Sequence, residues 1–234
     1  MSTSRGISVI FDLDGTLVDS EPNYYEAGKR LLAQYGVADF SWEEHSRFIG
    51  ISTRETLEIL REQYGIEAPL DEMLARKNRL YLELARASTE VFPEMLRFVE
   101  RLHAEQTPMI VASGSSRAAI EAVLTGTGLD ALITGVVSAE EVPQGKPAPD
   151  IFLEAARRIG ADPADCVVLE DAAPGAVAAH AAGMRCIAVP YVRGTEGDPA
   201  FTAAELLFPG GQGEFTAQAA YDWLRRPVSA SSAP

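Results

Sequence analysis

The chain has 234 residues, of which 47% are hydrophobic and 23% charged, the balance of a soluble globular protein that can bury a substantial core. Its formal net charge of −14 argues against non-specific binding to nucleic acid or a membrane surface, and leaves any affinity for phosphate to local groups. Apolar runs fall far short of a bilayer span and no leader pattern precedes the first of them, so residence in the cytoplasm is the expectation.

Ile7-Ser8-Val9-Ile10-Phe11 has the β-branched and aromatic content of a buried parallel strand. It runs into Asp12-Leu13-Asp14-Gly15-Thr16, where the two-residue side-chain period points Asp12 and Asp14 the same way and Gly15 permits a sharp turn. Two like charges side by side require a cation or a shared proton. At the carboxyl end of a strand in an open α/β sheet, the pair marks a ligand site.

The stretch from Glu21 to Ser88 reads as almost wholly helical. Tyr24, Ala27, Leu31, Leu32 and Tyr35 share one helical face, with Gly36 as a stop. Ser41-Trp42-Glu43-Glu44 and Ser52-Thr53-Arg54-Glu55 have the pattern of capping boxes; the second helix runs to Tyr64 and stops at Gly65. A further helix is predicted from Asp71 to about Ala87. From Pro93 helices and strands alternate. Helices fall at 93–105, after Ser116, and at 150–159 and 174–182, with strands at 109–112, 133–137, 166–169 and 185–189. Leu206-Leu207-Phe208 adds a last strand and 217–225 a last helix. Alternation of this kind predicts an α/β fold, a doubly wound parallel sheet with right-handed crossovers. The core is assigned to 1–19 and 90–227, an inserted α-helical domain to 20–89, and a disordered tail to 228–234. Cys166 and Cys186 lie in apolar strand patterns and read as buried small hydrophobes.

Three later strand ends carry polar groups. Ser113 stands where the strand at 109–112 gives way to a helix, so its hydroxyl and the unpaired amides of the helix start form an anion site, with Ser115 or Ser116 as the N-cap. Lys146 lies in Gly145-Lys146-Pro147-Ala148-Pro149-Asp150, a loop stiffened by its neighbours, and an ammonium there suits a charged phosphoryl group. Glu170-Asp171 ends another strand. These acids with Asp12 offer the oxygen ligands that Mg²⁺ prefers. His45, His103 and His180 fall on predicted helices without matching partners and read as packing or surface residues.

Taken together, Asp12-x-Asp14-Gly-Thr, Ser113, Lys146 and Glu170-Asp171 resemble the four motifs of the haloacid dehalogenase (HAD) phosphohydrolase superfamily, and the helical insert resembles its C1 cap. The chain is similar to the beta-phosphoglucomutase-like branch as far as about Val192, through Gly-Lys-Pro-Ala-Pro-Asp-Ile-Phe and Leu-Glu-Asp among other runs. The resemblance implies a HAD-like, Rossmannoid core. It implies Asp12 as the nucleophile that forms an aspartyl-phosphate, and Asp14 as the general acid and then base. It also implies Mg²⁺ on the Asp12 carboxylate, the Asp14 backbone carbonyl and Asp171, with Glu170 as a ligand or one step behind. Ser113, the Gly114 amide and Lys146 would hold the phosphoryl oxygens. A carboxylate attacks a phosphate dianion only where local negative charge is neutralised, which agrees with this set. Dehalogenation is not expected, since the dehalogenating branch lacks the second acid.

Hydrolysis of a small organic phosphate, such as a sugar phosphate, is the activity the resemblance implies. A phosphosugar mutase is the alternative. Where beta-phosphoglucomutase has a histidine after the first motif this chain has Tyr24, and where that family has an arginine after Gly-x-Ser it has Thr53, with Arg54 one place later. Lys77 matches a cap lysine. Tyr24, Gly50, Thr53, Arg54 and Lys77 are the candidate substrate selectors of the cap. A non-catalytic binding scaffold would have lost a nucleophile, acid, lysine or metal carboxylate, and none is missing. The expected partner is a phosphorylated small molecule, not nucleic acid or membrane, and the expected assembly a monomer or weak dimer.

Overall fold

A computed structural model describes residues 6–49, 52–133 and 135–226. Gly50 and the tail at 228–234 lie outside them. The chain begins β1 (Ser8–Phe11), β2 (Val18–Asp19), α1 (Glu21–Ala33), α2 (Trp42–Ser46), α3 (Thr53–Gln63), α4 (Leu70–Ser88), β3 (Glu90–Val91) and α5 (Pro93–Ala104). It continues β4 (Met109–Ser113), α6 (Arg117–Thr127), β5 (Gly135–Ser138), α7 (Asp150–Ile159), β6 (Cys166–Glu170) and α8 (Ala173–Ala181). The last elements are β7 (Arg185–Ala188), α9 (Pro199–Thr202), β8 (Leu206–Leu207) and α10 (Ala217–Leu224).

Six strands form one sheet in the order β5-β4-β1-β6-β7-β8, and every neighbouring pair is parallel. Side-chain alternation divides its interior in two. Val9, Phe11, Val111, Val167 and Leu169 face a layer built from α5, α6 and α10. Ile10, Ile110, Ala112, Cys166 and Val168 face α7, α8 and α9. Apolar residues on both faces are what a sheet covered on both sides requires. Both cysteines are buried and unpaired. Among the described residues, no helix is long and apolar enough to cross a membrane.

β1 lies where the chain order reverses, with β4 on one side and β6 on the other. A crevice forms beyond the carboxyl ends of strands at such a point. The loops after β1, β4 and β6 carry Asp12 and Asp14, Gly114, and Asp171.

The insert leaves and rejoins the core through an antiparallel ribbon, Val18 opposite Val91 and Asp19 opposite Glu90. Strands of two residues are too short to show a period, and the sequence pattern did not predict them. Ser41 and Ser52 cap α2 and α3 by accepting from the amides of Glu44 and Glu55. The Glu44 carboxylate turns instead to the Tyr64 hydroxyl, at 2.7 Å. Leu31, Leu57 and Met73 form a small apolar centre within the insert, and Leu32, Phe40 and Leu60 another. The carboxyl-terminal half of α4 behaves differently: Tyr81 and Ala85 belong to the main core cluster. There Gly126 of α6 approaches α4 so closely that a Cβ would stand 3.1 Å from the carbonyl oxygens of Ala85 and Arg86.

Candidate active site

The β1–β6 ladder continues one residue past the strand, with the Asp12 amide donating to the Leu169 carbonyl at 3.0 Å. Asp12 and Glu170 are thereby held at adjacent strand ends. Lys146 enters from the loop before α7. Its Nζ donates to Asp12 Oδ1 and Glu170 Oε1, each at 2.5 Å, and lies 5.1 Å from the centre of the Phe152 ring. Glu170 has no freedom left: Oε2 accepts from the amides of Asp171 and Ala172 at 3.1 and 3.2 Å. Asp171 Oδ1 accepts from Thr16 at 3.0 Å. Gly15, at φ +82°, leaves room for that carboxylate, since a Cβ would stand 2.4 Å from Asp171 Oδ2. Gln212 fixes the same turn from the far end of the chain, donating to the carbonyls of Gly15 and Thr16.

One oxygen each of Asp12, Glu170 and Asp171 lie within 4.8 Å of one another, and all three residues are buried. Burial pushes the Asp12 carboxyl up to about 7, with Glu170 and Asp14 adding to the shift and Lys146 opposing it. Burial and then the charges of Asp12 and Glu170 hold Asp171 well above the carboxylate range. Burial alone would lower Lys146, but Asp12 and Glu170 outweigh it and raise it above an ordinary lysine. Three carboxylates against one ammonium leave an excess of buried negative charge. Hard oxygen donors and uncompensated charge are the conditions a magnesium ion meets, so these residues fit that metal. Among the described residues, Asp12 Oδ2 accepts no hydrogen bond.

Asp14 points elsewhere. Its Oδ1 accepts from Ser20 at 2.7 Å and Tyr81 at 3.4 Å, and its Oδ2 from Ser113 at 3.1 Å and Ser115 at 2.7 Å. Its carboxylate stands outside the three-acid cluster. Ser113 is buried at the tip of β4 and also accepts from the Ser115 amide, while Gly114 is exposed. Ser116 is the N-cap of α6, accepting from the Ala119 amide.

The insert candidates separate. The Tyr24 hydroxyl meets Ser115 Oγ at 2.8 Å, and its ring stacks on Tyr81 with centroids 4.1 Å apart. Lys77 is buried on α4 with Nζ 5.8 Å from the Tyr24 ring centre. Burial pulls its ammonium down to about 8 against the charge of Glu21. Glu21 in turn meets His45 Nε2 at 3.0 Å. Thr53 opens α3, half-buried, and Arg54 beside it is exposed and pairs with Asp71 at 2.8 Å. The structure thus brings Tyr24 and Lys77 towards the Asp14 side of the crevice and leaves Arg54 in solvent. Sequence reasoning gave no role to Thr16, Ser20, Tyr81, Glu21 or Gln212. Thr16 and Ser20 flank the acidic motif closely enough to have been suspected. Tyr81 sits in an apolar helical stripe and reads there as packing.

Comparison with known proteins shows the family of the chain. The family described as haloacid dehalogenase-like hydrolase matches residues 9–189. The fructose-1-phosphate phosphatase of Escherichia coli (strain K12) is 34% identical over 185 residues, 79% of this chain and 97% of that protein. The bifunctional riboflavin kinase/FMN phosphatase of Arabidopsis thaliana is 35% identical over 183 residues, and there the chain spans 48% of the relative's length. The crystal structure of beta-phosphoglucomutase from Clostridium difficile shares the fold, with a TM-score of 0.74 at 24% identity over 93% of this chain and 96% of that one. The chain belongs to the haloacid dehalogenase-like hydrolase family, in its beta-phosphoglucomutase-like branch.

Proposed function

We propose that the protein is a magnesium-dependent phosphatase of small phosphorylated metabolites, sugar or polyol phosphates above all, working through an aspartyl-phosphate on Asp12. The observation that carries the reading is Lys146 Nζ bridging Asp12 and Glu170, with Asp171 completing the acidic cluster. Residues 12, 146 and 170–171 are far apart in the chain, and chance convergence of buried charges would be costly. The names of relatives support the phosphatase class, among them the fructose-1-phosphate phosphatase of Escherichia coli.

In this mechanism Asp12 attacks phosphorus, the bond to the leaving oxygen breaks, and Asp14 gives that oxygen a proton. Water then attacks the same phosphorus, loses its proton to Asp14, and the acyl-phosphate bond breaks to release phosphate. Ser113, the Gly114 amide and Lys146 hold the phosphoryl oxygens, and Glu170 fixes Lys146. Asp12 and Asp171, with the Asp14 carbonyl, would hold the magnesium ion, which neutralises the carboxylates and polarises the phosphate when bound. Tyr24 stands where the mutases carry a histidine and has its hydroxyl engaged by Ser115, which favours water over a sugar hydroxyl as the acceptor.

The test is release of inorganic phosphate from p-nitrophenyl phosphate and a panel of sugar phosphates with Mg²⁺. Asp12→Asn is expected to abolish it on all of them. Turnover retained by that variant would refute the covalent route, and stimulation of sugar-phosphate isomerisation by a bisphosphate would favour the mutase.

A further inference from the structure

Four hydroxyls converge on the Asp14 carboxylate, and they come from different parts of the fold. Ser20 lies at the entry to the insert, Ser113 ends β4, Ser115 lies on the loop that follows it, and Tyr81 lies on α4. A carboxylate offers about four lone-pair sites, so the set occupies it fully. Ser115 has one hydroxyl proton and donates it to Asp14 at 2.7 Å. The 2.8 Å contact between Ser115 and Tyr24 is therefore made with the Tyr24 proton. Two phenols of the insert thus act on one core carboxylate, Tyr81 directly and Tyr24 through Ser115. Their rings stack at 19° to one another, which joins α1 to α4 directly above the acid.

We propose that Tyr24 and Tyr81 are positioning residues that tie the aim of Asp14 to the seating of the helical insert. The proposal rests on the reading of Asp14 as the acid that protonates the leaving oxygen. With all its sites filled, Asp14 accepts or serves a substrate oxygen only when one donor leaves. Ser113 is the donor a bound phosphate would recruit. Its departure opens a place on Oδ2, while Ser115, backed by Tyr24, keeps the carboxylate from turning. Loss of the Tyr24 hydroxyl leaves Ser115 free to rotate, and loss of the Tyr81 hydroxyl frees Oδ1. Tyr24 in this role is not a substrate selector, because its polar end is spent on the core.

The experiment is single-turnover kinetics, with enzyme in excess over substrate, on Tyr24→Phe, Tyr81→Phe and Ser115→Ala. Two probes are compared: p-nitrophenyl phosphate, whose leaving group departs as a stable anion, and fructose 1-phosphate, whose leaving oxygen needs a proton. Phenylalanine keeps the ring stack. Tyr24→Phe is expected to slow cleavage of fructose 1-phosphate at least about tenfold, and release of p-nitrophenolate less than about threefold, with KM for both little changed. Ser115→Ala is expected to reproduce the effect without adding to it in the double variant. Equal losses on the two probes, or a rise in KM for fructose 1-phosphate with its cleavage rate unchanged, would overturn the proposal. Asp12→Asn in the same assay reads the underlying mechanism separately: activity surviving there removes the phosphatase route itself, whereas an inactive Asp12→Asn with equal losses in Tyr24→Phe removes the clamp alone.

Discussion

Gly175 lies against Glu170 so closely that a Cβ on it would stand 1.8 Å from Glu170 Oε1. The first turn of α8 thus closes directly over the carboxylate that holds Lys146. A methyl group at this point meets a side chain already committed to Lys146 and two loop amides, so it must displace the carboxylate or the helix. Gly175→Ala is expected to lower kcat at least about tenfold and to cost about 3 kcal/mol, the scale of breaking a buried ion pair. Gly145→Ala, on the other side of Lys146, has open space and is expected to change stability by less than about 0.5 kcal/mol. Thermal melts and phosphate release on the two variants check the contrast. Equal tolerance at the two positions would mean that Glu170 has room to move.

The acidic cluster ties stability to pH and metal together. Asp12 is raised to about 7 and Asp171 is raised as well, burial being the first cause in each. An acid with a raised folded pKa binds more protons folded than unfolded, so its contribution is lost as pH climbs through that range. Metal-free protein is therefore expected to melt lower at pH 8 than at pH 5. The half-buried Glu154, pulled down to about 2 by hydrogen bonds from Arg157 and then Arg158, titrates below this window and does not mask it. A magnesium ion held by this cluster would take its ionised carboxylates, so adding Mg²⁺ is expected to raise the melting temperature more at pH 8 than at pH 5. An equal shift at the two pH values would separate the metal from these acids.

Sequence made the sheet and its acidic edge legible because each rests on local patterns. Strands buried on both faces are continuous apolar runs, and α7 was predicted at 150–159, where it is found. The polar groups of the four motifs follow strand ends, where parallel topology makes them neighbours. What the pattern hid depends on three-dimensional direction. Ser115 and Ser116 are equivalent as sequence, yet Ser116 caps α6 and Ser115 joins Asp14 to Tyr24. Asp12 and Asp14 share a strand face in the simple alternation, but β1 ends at Phe11 and the turn sends the two carboxylates to different partners. His45 reads as packing and is indeed buried among Tyr25, Phe40 and Trp42, while its Nε2 also reaches Glu21.

Arg54 is a candidate selector because it stands one place after Thr53, the position where the branch it resembles has an arginine, and its surroundings argue for a solvated charge. Its pair with Asp71 spans two exposed side chains, 58% and 84% accessible, so screening leaves little net energy. Arg54→Ala is expected to leave kcat/KM for sugar phosphates within about twofold and stability within about 0.5 kcal/mol. Steady-state kinetics and a melt decide it. A selective rise in KM for sugar phosphates would require the start of α3 to reorient towards the crevice when substrate binds.

Lys77 presents the opposite case, a buried ammonium with no hydrogen bond or ion pair among the described residues. Burial draws its pKa down to about 8, with Glu21 opposing. A base with a lowered folded pKa binds fewer protons folded than unfolded between that value and its ordinary 10.5, so stability rises with pH across the interval. Holding the charge at neutral pH therefore destabilises the fold, and a substrate group that takes the proton's field would offset the cost. Lys77→Met is expected to raise the melting temperature at pH 7, with the gain shrinking by pH 10, while KM for sugar phosphates rises more than KM for p-nitrophenyl phosphate. In the wild type, KM for the sugar phosphate is expected to climb above about pH 8 as the ammonium is lost, and Lys77→Arg, which stays charged, is expected to flatten that rise. A melting gain without any selective change in KM would leave Lys77 a burden on the fold with no part in reading the substrate.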